Sequence, residues 1–320
     1  MIEFDGPSCD FEPIPARVRE RFGWTAVRDA RLFAASCEPS GARRATVLVI
    51  GPIGSERERA LRTTTCLART LAREGVATLR FDHRGIGESE GEFARATFAE
   101  WTADTRALAM ALAHDGNGAR RGADAPPRAP LILLGIRAGA TIAAELFTDG
   151  VGDGLLVMGA LGARTLLLDM ARRAAVAGLV ERARGGAHAD GGAEGTAGAT
   201  ERLRRGESAW VDGYEMTPAL WHEAAAHPLR LPEEVDARPW ARIEPVPFPK
   251  PTTAQVPRLL RLPLVRFWES SDPLVADSDL LTDHLVAWID GHESDWRRRA
   301  ATRIGAEPGP RAVGIAEAVP

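Results

Sequence analysis

Three glycine-containing turns, each following a short apolar run, constrain the fold of this chain more than any other feature. Continuous apolar runs of this length are typical of strands that are buried on both faces of a parallel sheet. The runs are Ala45–Ile50, Val76–Phe81 and Leu131–Leu134, and the turns after them lie in Gly51–Gly54, Gly85–Gly91 and Gly135–Gly139. Patterns with a helical period separate the runs. This alternation predicts an α/β fold with right-handed crossovers, and it places the turns at the sheet edge where ligands bind.

The remaining elements follow from the same periodicities. The predicted helices cover Glu56–Glu74, Phe98–His114, Ala140–Phe147, Thr165–Arg184, Glu201–His227 and Ser278–Ile289, and the further strands cover Phe22–Val27, Arg31–Ser36, Leu155–Met158 and Leu264–Trp268. The first two of these strands are expected to pair as an antiparallel lead-in. Nine prolines between Pro228 and Pro263 argue against long regular elements in that stretch.

The pattern predicts one domain with an insertion. Residues 1–164 and 228–296 are expected to form the α/β core, and residues 165–227 a helical lid inserted above the sheet. Within the lid, residues 185–200 consist mainly of Gly and Ala and have almost nothing to bury, which predicts a flexible loop. Residues 297–320 are predicted to be a disordered tail.

Composition excludes several classes of function. A net charge of −4 argues against nucleic-acid binding, which normally requires a basic face. No apolar stretch approaches the roughly 18 residues of a membrane span, and residues 1–21 lack the pattern of a secretory signal. Cys9, Cys37 and Cys66 are scattered without a CxxC spacing, which predicts neither a disulfide framework nor a zinc site. We therefore expect a cytoplasmic protein without a metal or cofactor.

The third turn has the spacing of a nucleophile elbow. Its sequence, Gly135-Ile136-Arg137-Ala138-Gly139, matches G-x-S-x-G except at the central position. A strand that turns at once into a helix brings its backbone close to its neighbours, so the residues flanking the apex must be small. The apex side chain is then expected to project into a pocket above the N-terminus of the following helix.

Together the three turns resemble those of the α/β-hydrolases. The loop Gly51–Arg57 (GPIGSER) is similar to the loop that supplies one N–H group of the oxyanion hole. Phe81–Gly91 (FDHRGIGESEG) resembles the D-x-R-G-x-G-x-S-x-G turn, and Trp101–Asp104 resembles the W-x-x-D that opens the next helix. The resemblance covers roughly residues 45 to 165 and is nearest to serine aminopeptidase-like hydrolases, especially those associated with exosortase and exopolysaccharide systems. Some members of that group resemble this chain in a G-L-R-x-G-A elbow.

This resemblance implies an α/β-hydrolase fold, with a mostly parallel central sheet, helices on both faces and an inserted helical lid. Gly213–Leu220 (GYEMTPAL) also resembles a lid segment of that group. Family membership implies a hydrolase or acyltransferase that acts on an ester, a thioester or a peptide-like substrate.

Arg137 departs from this pattern, because a guanidinium group stays protonated and has no lone pair with which to attack a carbonyl carbon. Two hypotheses for it remain open. In the first, Arg137 joins the N–H groups of Ala138 and of the Ile53–Gly54 loop, the remnant of an oxyanion hole, to clamp a carboxylate or a phosphate. In the second, Arg137 forms a salt bridge with Asp82 or Glu56 and holds an inactive elbow together.

The other members of a triad are weakly supported. The chain order of this fold is nucleophile, acid, then histidine, and Asp272 resembles the acid loop of active members. His284 falls inside a predicted helix and His292 just beyond it, so neither has the strand-then-loop setting of a catalytic histidine. The predicted sheet also lacks the last of the usual eight strands. His83 and Arg84 lie in the second glycine turn and are expected at the edge of the pocket.

Two other serines lie in the glycine turns. We expect Ser89 to hydrogen-bond within its own turn and Ser55 to cap the helix that follows it. The sequence therefore leaves two classes of function open. One is a pseudoenzyme that binds a small anionic or acyl ligand or a protein partner, and the other is an active hydrolase or acyltransferase with an unidentified nucleophile.

Overall fold

A mostly parallel sheet organises the computed structural model, which describes residues 18–115, 128–183, 196–233, 237–246, 258–269 and 278–305. The strands are β1 (Val18–Val27), β2 (Ala30–Pro39), β3 (Ala45–Ile50), β4 (Val76–Phe81), β5 (Leu131–Ile136), β6 (Gly154–Met158), β7 (Ala209–Val211), β8 (Tyr214–Met216), β9 (Trp240–Pro245) and β10 (Leu259–Leu262). The α-helices are α1 (Ser55–Arg73), α2 (Phe98–Asp115), α3 (Ala138–Thr148), α4 (Ala163–Ala183), α5 (Thr196–Arg204), α6 (Pro218–Glu223) and α7 (Ser278–Gly305), and short 3₁₀ helices cover Phe93–Arg95 and Ala224–Ala226.

Within the described ranges, eight strands form one sheet in the order β1-β2-β4-β3-β5-β6-β9-β10. β1 pairs with β2, and β2 with β4, in antiparallel fashion. The other five pairs of this sheet, from β4-β3 to β9-β10, are parallel. β7 and β8 form a separate two-stranded hairpin. The α/β class and the mostly parallel sheet predicted from the apolar runs are confirmed.

Helices cover both faces of this sheet, which explains why the central strands are apolar on both sides. Every residue of β3, β5 and β6 is buried. On one face the sheet packs against the apolar sides of α2, α3 and α4. On the other face it packs against α1 and α7, through side chains such as Leu67, Leu71 and Leu285. This two-sided burial supplies the hydrophobic core.

The turn between β5 and α3 is packed too closely for side chains at its two glycines. A Cβ atom added to Gly135 would lie 2.5 Å from the carbonyl oxygen of Gly139. One added to Gly139 would overlap the carbonyl oxygen of Ile50, at the end of β3. Both obstacles are backbone atoms, so neither can move aside cheaply. The glycines of the elbow are therefore required by the approach of α3 to the sheet.

Two sequence-based expectations for the last part of the core are wrong: the position of the last predicted strand and the absence of an eighth strand. The last strand is Leu259–Leu262 rather than Leu264–Trp268, because Pro263 interrupts the pairing with β9. The proline-rich stretch contains a strand, β9, that pairs with β6 over four residues. The sheet thus has the eighth strand that the sequence pattern left out.

The region between β6 and β9 is also more varied than predicted. Glu201–His227 is not one helical stretch but contains the end of α5, the hairpin of β7 and β8, α6 and a 3₁₀ helix. Residues 196–200, predicted as the end of a flexible loop, are helical, and residues 184–195 lie outside the described residues. The tail predicted to begin at residue 297 is helical as far as Gly305, and residues 306–320 lie outside the described ranges.

No helix in the described ranges combines the length and the apolar character that a membrane crossing requires.

Replacing Gly139 with Ala should destabilise the fold strongly, because the new methyl group would overlap backbone atoms of β3. We expect the free energy of unfolding to fall by about 3 kcal/mol or more. Gly291→Ala is the matched control, since Gly291 lies in α7 with open space around its Cα. That change should raise stability by about 0.5–1 kcal/mol through helix propensity. Chemical denaturation of both variants measures the difference, and equal stabilities would contradict the close approach.

His227 should make stability depend on pH, because it lies between two carboxylates. Its Nδ1 is 2.9 Å from Oε2 of Glu145, and its Nε2 is 3.5 Å from Oε1 of Glu223. The hydrogen bond to Glu145, the largest cause, raises the pKa of His227 above its ordinary value of 6.5. The protonated ring therefore stabilises the fold below that ordinary value, and the contribution is lost as the pH rises through the folded-state pKa.

Denaturation of His227→Gln beside the wild type, at about pH 5.5 and about pH 8.5, measures this effect. The stability gap between the two proteins should be larger at the lower pH. We expect a change of less than about 1 kcal/mol, because the ring is half-buried and solvent screens the pair. A gap that widens towards high pH would contradict the assignment.

Candidate functional site

Arg137 occupies the apex of the turn between β5 and α3, with the backbone shape expected of an elbow. Its φ of 57° and ψ of −113° lie in a region that side-chain-bearing residues rarely adopt. Its backbone N–H donates to the carbonyl oxygen of Met158 at the end of β6, over 2.9 Å. A strained apex of this kind is the geometry that exposes the nucleophile of a G-x-S-x-G elbow. The turn keeps that geometry although its apex is an arginine.

The Arg137 side chain is 5% exposed and bonds to acids within the protein. Its Nε donates to both carboxylate oxygens of Glu56, each at 3.1 Å, and its Nη2 donates to Oε1 of Glu56 at 2.9 Å. Nη2 also donates to Asp169 on α4. Nη1 lies 3.4 Å from the carbonyl oxygen of Gly159. Of the two salt-bridge partners that the sequence suggested, the structure therefore places Glu56 against Arg137.

Arg173 completes a closed ring of four alternating charges, which we call the charge ring: Arg137, Glu56, Arg173 and Asp169. Arg173 donates to Glu56 through Nη2, and to Asp169 through Nε over 3.2 Å. The two inner side chains are almost fully buried, whereas Arg173 and Asp169 are 26% and 29% exposed. Two positive and two negative charges leave the ring neutral. It ties the elbow to α1 and to α4.

Trp268 lies beside Arg137 in the turn after β10. Its side chain is buried, and its ring centroid is 5.9 Å from the Arg137 guanidinium carbon. Gly159, which follows β6, lets both side chains approach, because a Cβ there would lie 2.7 Å from Trp268 and 2.8 Å from Arg137. The turn after β10 thus places an indole ring next to the guanidinium group of the apex residue.

The loop after β3 and the start of α3 supply the other proposed anion-binding groups. Ile53 and Ala138 are fully buried, and Gly54, with a φ of 59°, is the N-cap of α1. A Cβ added to Gly54 would lie 3.0 Å from Met170 and 3.6 Å from Tyr214. Side chains of α4 and β8 therefore cover this loop. The first N–H groups of α3 still lack intrahelical acceptors, as at the start of any helix.

The second glycine turn is held together by internal contacts. Asp82 accepts from Arg57 in a bidentate pair, with Nε to Oδ1 at 2.9 Å and Nη2 to Oδ2 at 2.6 Å. The suggested pair between Asp82 and Arg137 is therefore wrong, because Arg57 on α1 takes both oxygens. Ser89 donates to the carbonyl oxygen of Asp82 at 2.7 Å, which confirms the expected bond within the turn.

Arg84 is engaged in ion pairs next to this turn. It donates through Nε and Nη2 to the two oxygens of Asp104, each at 3.0 Å, and through Nη2 to Asp29. The side chain of Asp104 is 1% exposed. Trp101 donates from its indole N–H to the carbonyl oxygen of Arg84 at 2.9 Å. The W-x-x-D pattern thus joins the start of α2 to the glycine turn.

His83 is a core residue with a neutral ring. It is 2% exposed, and its Nε2–H donates to the carbonyl oxygen of Gly51 at 3.2 Å. Its Nδ1 is buried without a partner among the described residues. Burial, the largest cause, lowers the pKa of His83 to about 4. The ring packs against Phe81 and Trp101.

Ser55 does not cap α1 as expected, since the helix has no side-chain cap. Its hydroxyl donates instead to Asp212, in the tip of the β7–β8 hairpin, and accepts from Arg59 at 3.0 Å. Arg59 also donates to Asp212 at 3.1 Å. These contacts fix the hairpin tip against the start of α1.

Neither of the two histidine candidates, His284 and His292, is among the hydrogen-bond or ion-pair partners of Arg137. His284 and His292 both belong to α7, where each Nδ1 donates to the carbonyl oxygen one turn earlier, at 2.8 and 2.7 Å. The expectation that His292 lies beyond the helix is wrong, because α7 continues past it. Asp272 lies outside the described residues. Within the described ranges, no histidine is among the hydrogen-bond or ion-pair partners of Arg137.

Sequence reasoning missed three residues that surround the apex: Asp169, Arg173 and Trp268. Asp169 and Arg173 are four residues apart on α4, a spacing that brings side chains together on a helix. That spacing was the available signal, but it did not indicate that the pair faces the elbow. Among the described residues, no group of three His, Cys, Asp or Glu side chains is placed to hold a metal ion.

Comparison with known proteins agrees with this architecture. The family model described as serine aminopeptidase, S33, matches residues 44–182, which include the three glycine turns and nearly all of α4. A search of curated proteins finds none that matches.

Two solved structures resemble the fold along most of the chain. The hypothetical protein PA2218 from Pseudomonas aeruginosa has 17% identity and a TM-score of 0.57, over 91% of this chain and 99% of that one. Est1E from Butyrivibrio proteoclasticus, solved with ferulic acid bound, has 16% identity and a TM-score of 0.50, over 83% of this chain and 99% of that one. The strand order, the elbow geometry and these likenesses together show that this chain has the α/β-hydrolase fold, and the family model places a similarity to the serine aminopeptidases over residues 44–182.

Proposed function

We propose that this protein is a non-catalytic member of the superfamily that acts by binding, and that its elbow serves as a structural centre rather than as a nucleophile. The charge ring is the observation that carries this proposal. Arg137 stands where an attacking serine would stand, and a protonated guanidinium group donates hydrogen bonds but has no lone pair to offer. An acyl-enzyme cannot form at this position.

Internal carboxylates take the place that an external anion would need. Glu56 occupies the edge of the Arg137 guanidinium formed by Nε and Nη2, and Nη2 also bonds to Asp169. A ligand carboxylate would have to displace Glu56, whose side chain is 1% exposed and bonded to two arginines. Because the ring is neutral, it offers an incoming anion no net attraction. We therefore favour the salt-bridge hypothesis over the anion clamp of Arg137, Ala138 and the Ile53–Gly54 loop.

We also propose that residues 165–227 act as a lid that the charge ring holds closed over the elbow. α4 contributes Asp169 and Arg173 to the ring and Met170 to the cover of Gly54. The β7–β8 hairpin adds Tyr214 over the same glycine and bonds to α1 through Asp212. Contacts from α4 and from the β7–β8 hairpin thus support a lid that is closed over the elbow.

The alternative of an active hydrolase with another nucleophile has little support from the described contacts. Ser89 accepts from the backbone N–H of Phe33 and donates within its turn. Ser55 contacts an acid and an arginine, but no histidine is among its described partners. A serine without a base to take its proton is a weak nucleophile. Association with an exosortase system, a cytoplasmic location and a protein partner remain predictions.

A fluorophosphonate probe tests the absence of serine-hydrolase chemistry. We expect no labelling of the purified wild type, since the elbow lacks a serine, and none of Arg137→Ser, since no histidine of the described residues contacts the apex. An active serine esterase serves as positive control, and circular dichroism confirms that the variant is folded.

Labelling of the wild type that is lost in Ser55→Ala or Ser89→Ala would show a relocated nucleophile and overturn the proposal. Labelling of Arg137→Ser alone would show that a base survives near the apex, and that only the nucleophile has been replaced.

Removal of Glu56 tests the charge ring. Glu56→Ala leaves two arginines without their shared partner, one of them buried, and should lower the free energy of unfolding by about 3–5 kcal/mol. Glu58→Gln, an exposed acid two residues along α1, is the matched control and should change stability by less than about 0.5 kcal/mol.

A double-mutant cycle with Arg137→Ala completes the test. The combined variant should be less destabilised than the sum of the two single changes, by about 1–3 kcal/mol. Additive effects, or a Glu56→Ala variant as stable as the control, would contradict the role of the ring.

A further inference from the structure

The sheet edge formed by β1 and β2 carries aromatic side chains that the fold leaves partly exposed. Phe22 and Trp24 point to the same face of β1, and Phe33 lies directly opposite Trp24 on β2. The ring centroid of Phe33 is 6.5 Å from that of Phe22 and 5.5 Å from that of Trp24. Leu61 on α1 lines the same shallow cleft as Phe33. We call these four side chains the aromatic patch; Phe22 is 36% exposed and Leu61 is 38% exposed.

The patch is continuous from β1 to α1. β1 runs in the same direction as β4, because both pair antiparallel with β2, and α1 runs back from the end of β3 to the start of β4. Arg69 on α1 donates to Glu20 on β1 at 2.9 and 2.8 Å, which fixes the level of the two elements. From this contact, Leu61 lies about 12 Å back along the helix and Trp24 about 13 Å further along the strand. Leu61 is therefore level with Trp24.

Two arginines border the patch. Arg62, next to Leu61, is exposed and has no ion-pair partner among the described residues. The guanidinium carbon of Arg31 lies 5.9 Å from the ring centroid of Trp24, and its loose pair with Glu90 leaves 3.9 Å between Nε and Oε1. Exposed apolar patches with a polar rim mark interaction sites, and charge complementarity selects the partner. A segment that covers this patch should therefore combine apolar side chains with acidic ones.

Residues 1–17, which lie outside the described ranges, have this composition. Phe4 stands between a glutamate and an aspartate, and Phe11 stands between an aspartate and a glutamate. These four acids face a single arginine in the segment, Arg17. The segment therefore presents aromatic side chains flanked by negative charge, the complement of an aromatic patch bordered by arginines.

The segment is also long enough to reach the patch, because it joins β1 directly. Phe22 and Trp24 lie about 13 and 20 Å along β1 from Val18. An extended chain spans about 3.3 Å per residue, so the seven residues from Val18 back to Phe11 cover about 23 Å. A chain that reverses its direction before Val18 can thus bring Phe11 to either aromatic ring.

We propose that residues 1–17 fold back over the aromatic patch of the same molecule, with Phe11 against Phe22 and Trp24 and its flanking acids beside Arg62 and Arg31. The short connection to β1 keeps the segment at a high effective concentration near the patch, so weak contacts suffice to hold it there. The patch shares no residue with the charge ring, and the proposal does not depend on whether the elbow is catalytic.

Tryptophan quenching of a bimane label on Cys9 tests this placement in the full chain. Cys9 is two residues before Phe11, Cys37 is buried, and Cys66→Ala removes the half-buried third thiol. We expect the bimane fluorescence to rise about twofold or more when Trp24→Phe is added, because a docked segment holds the label close to the indole ring. Trp210→Phe, which removes an exposed tryptophan of the β7–β8 hairpin, is the matched control and should leave the fluorescence unchanged.

Changes to the patch should release the segment while Trp24 stays in place. Arg62→Glu introduces repulsion towards the acids, and Leu61→Ser removes apolar contact, so each should raise the fluorescence towards the level of Trp24→Phe. Leu179→Ser, at an exposed leucine of α4, is the control for Leu61→Ser and should have no effect. Thermal melts of every variant confirm folding.

The proposal fails if Trp24→Phe leaves the fluorescence unchanged, or if Arg62→Glu and Leu61→Ser both keep the label quenched. Relief of quenching by Trp210→Phe instead would place the segment at the hairpin and overturn it. A dilution series separates the remaining arrangement. Quenching that is independent of protein concentration supports docking within one molecule, and quenching that disappears on dilution would show that a second copy supplies the segment, which would also overturn the proposal.

Discussion

The charge ring joins three segments that are far apart in the sequence, and its two inner side chains, Arg137 and Glu56, are almost fully buried. Glu56 begins the helix after β3, Arg137 stands at the turn after β5, and Asp169 and Arg173 lie on the helix after β6. Buried charges are costly to remove from water, and only mutual bonding offsets that cost. Each of the four groups is bonded to both of its neighbours in the ring. The need to keep these charges bonded to one another therefore fixes the elements at the carboxyl ends of the parallel strands, including the position of α4.

The core of the fold was predictable from local pattern because its strands are buried on both faces. In a protein of this composition, a short uninterrupted apolar run such as Leu131–Leu134 is typical of a strand that is buried on both faces. The last strands were harder to place. In β9, buried residues alternate with partly or fully exposed ones in a stretch dominated by prolines, and β10 precedes the more apolar segment around Trp268. The helix α7 runs further than its charged sequence suggests because Trp296 packs against Gly154 and donates to Asp153.

Only part of the candidate site was predictable from the sequence, because some of its residues are brought together by tertiary structure alone. Glu56 follows directly after the loop that precedes α1, so its nearness to the elbow could be inferred from the order of the turns. Asp169 and Arg173 look like an ordinary pair on a helix surface, and only the tertiary position of α4 turns them towards Arg137. Local sequence also predicted that Arg84 would face the pocket, but the ion pairs with Asp29 and Asp104 hold it within the turn.

The positive φ of Arg137 affects which amino-acid substitutions the elbow can accept during evolution. The strained turn persists because Gly139 lets α3 approach β3, so the backbone shape belongs to the fold and only the apex side chain is free to vary. Once an arginine stands there, the acids bonded to it depend on its charge. A serine at that one position would leave Glu56 buried without the three hydrogen bonds that Arg137 donates to it, while the start of α3 and Trp268 would still surround the new residue. A working nucleophile at this apex would thus require several substitutions together, because the buried acids must change with the arginine that they bond.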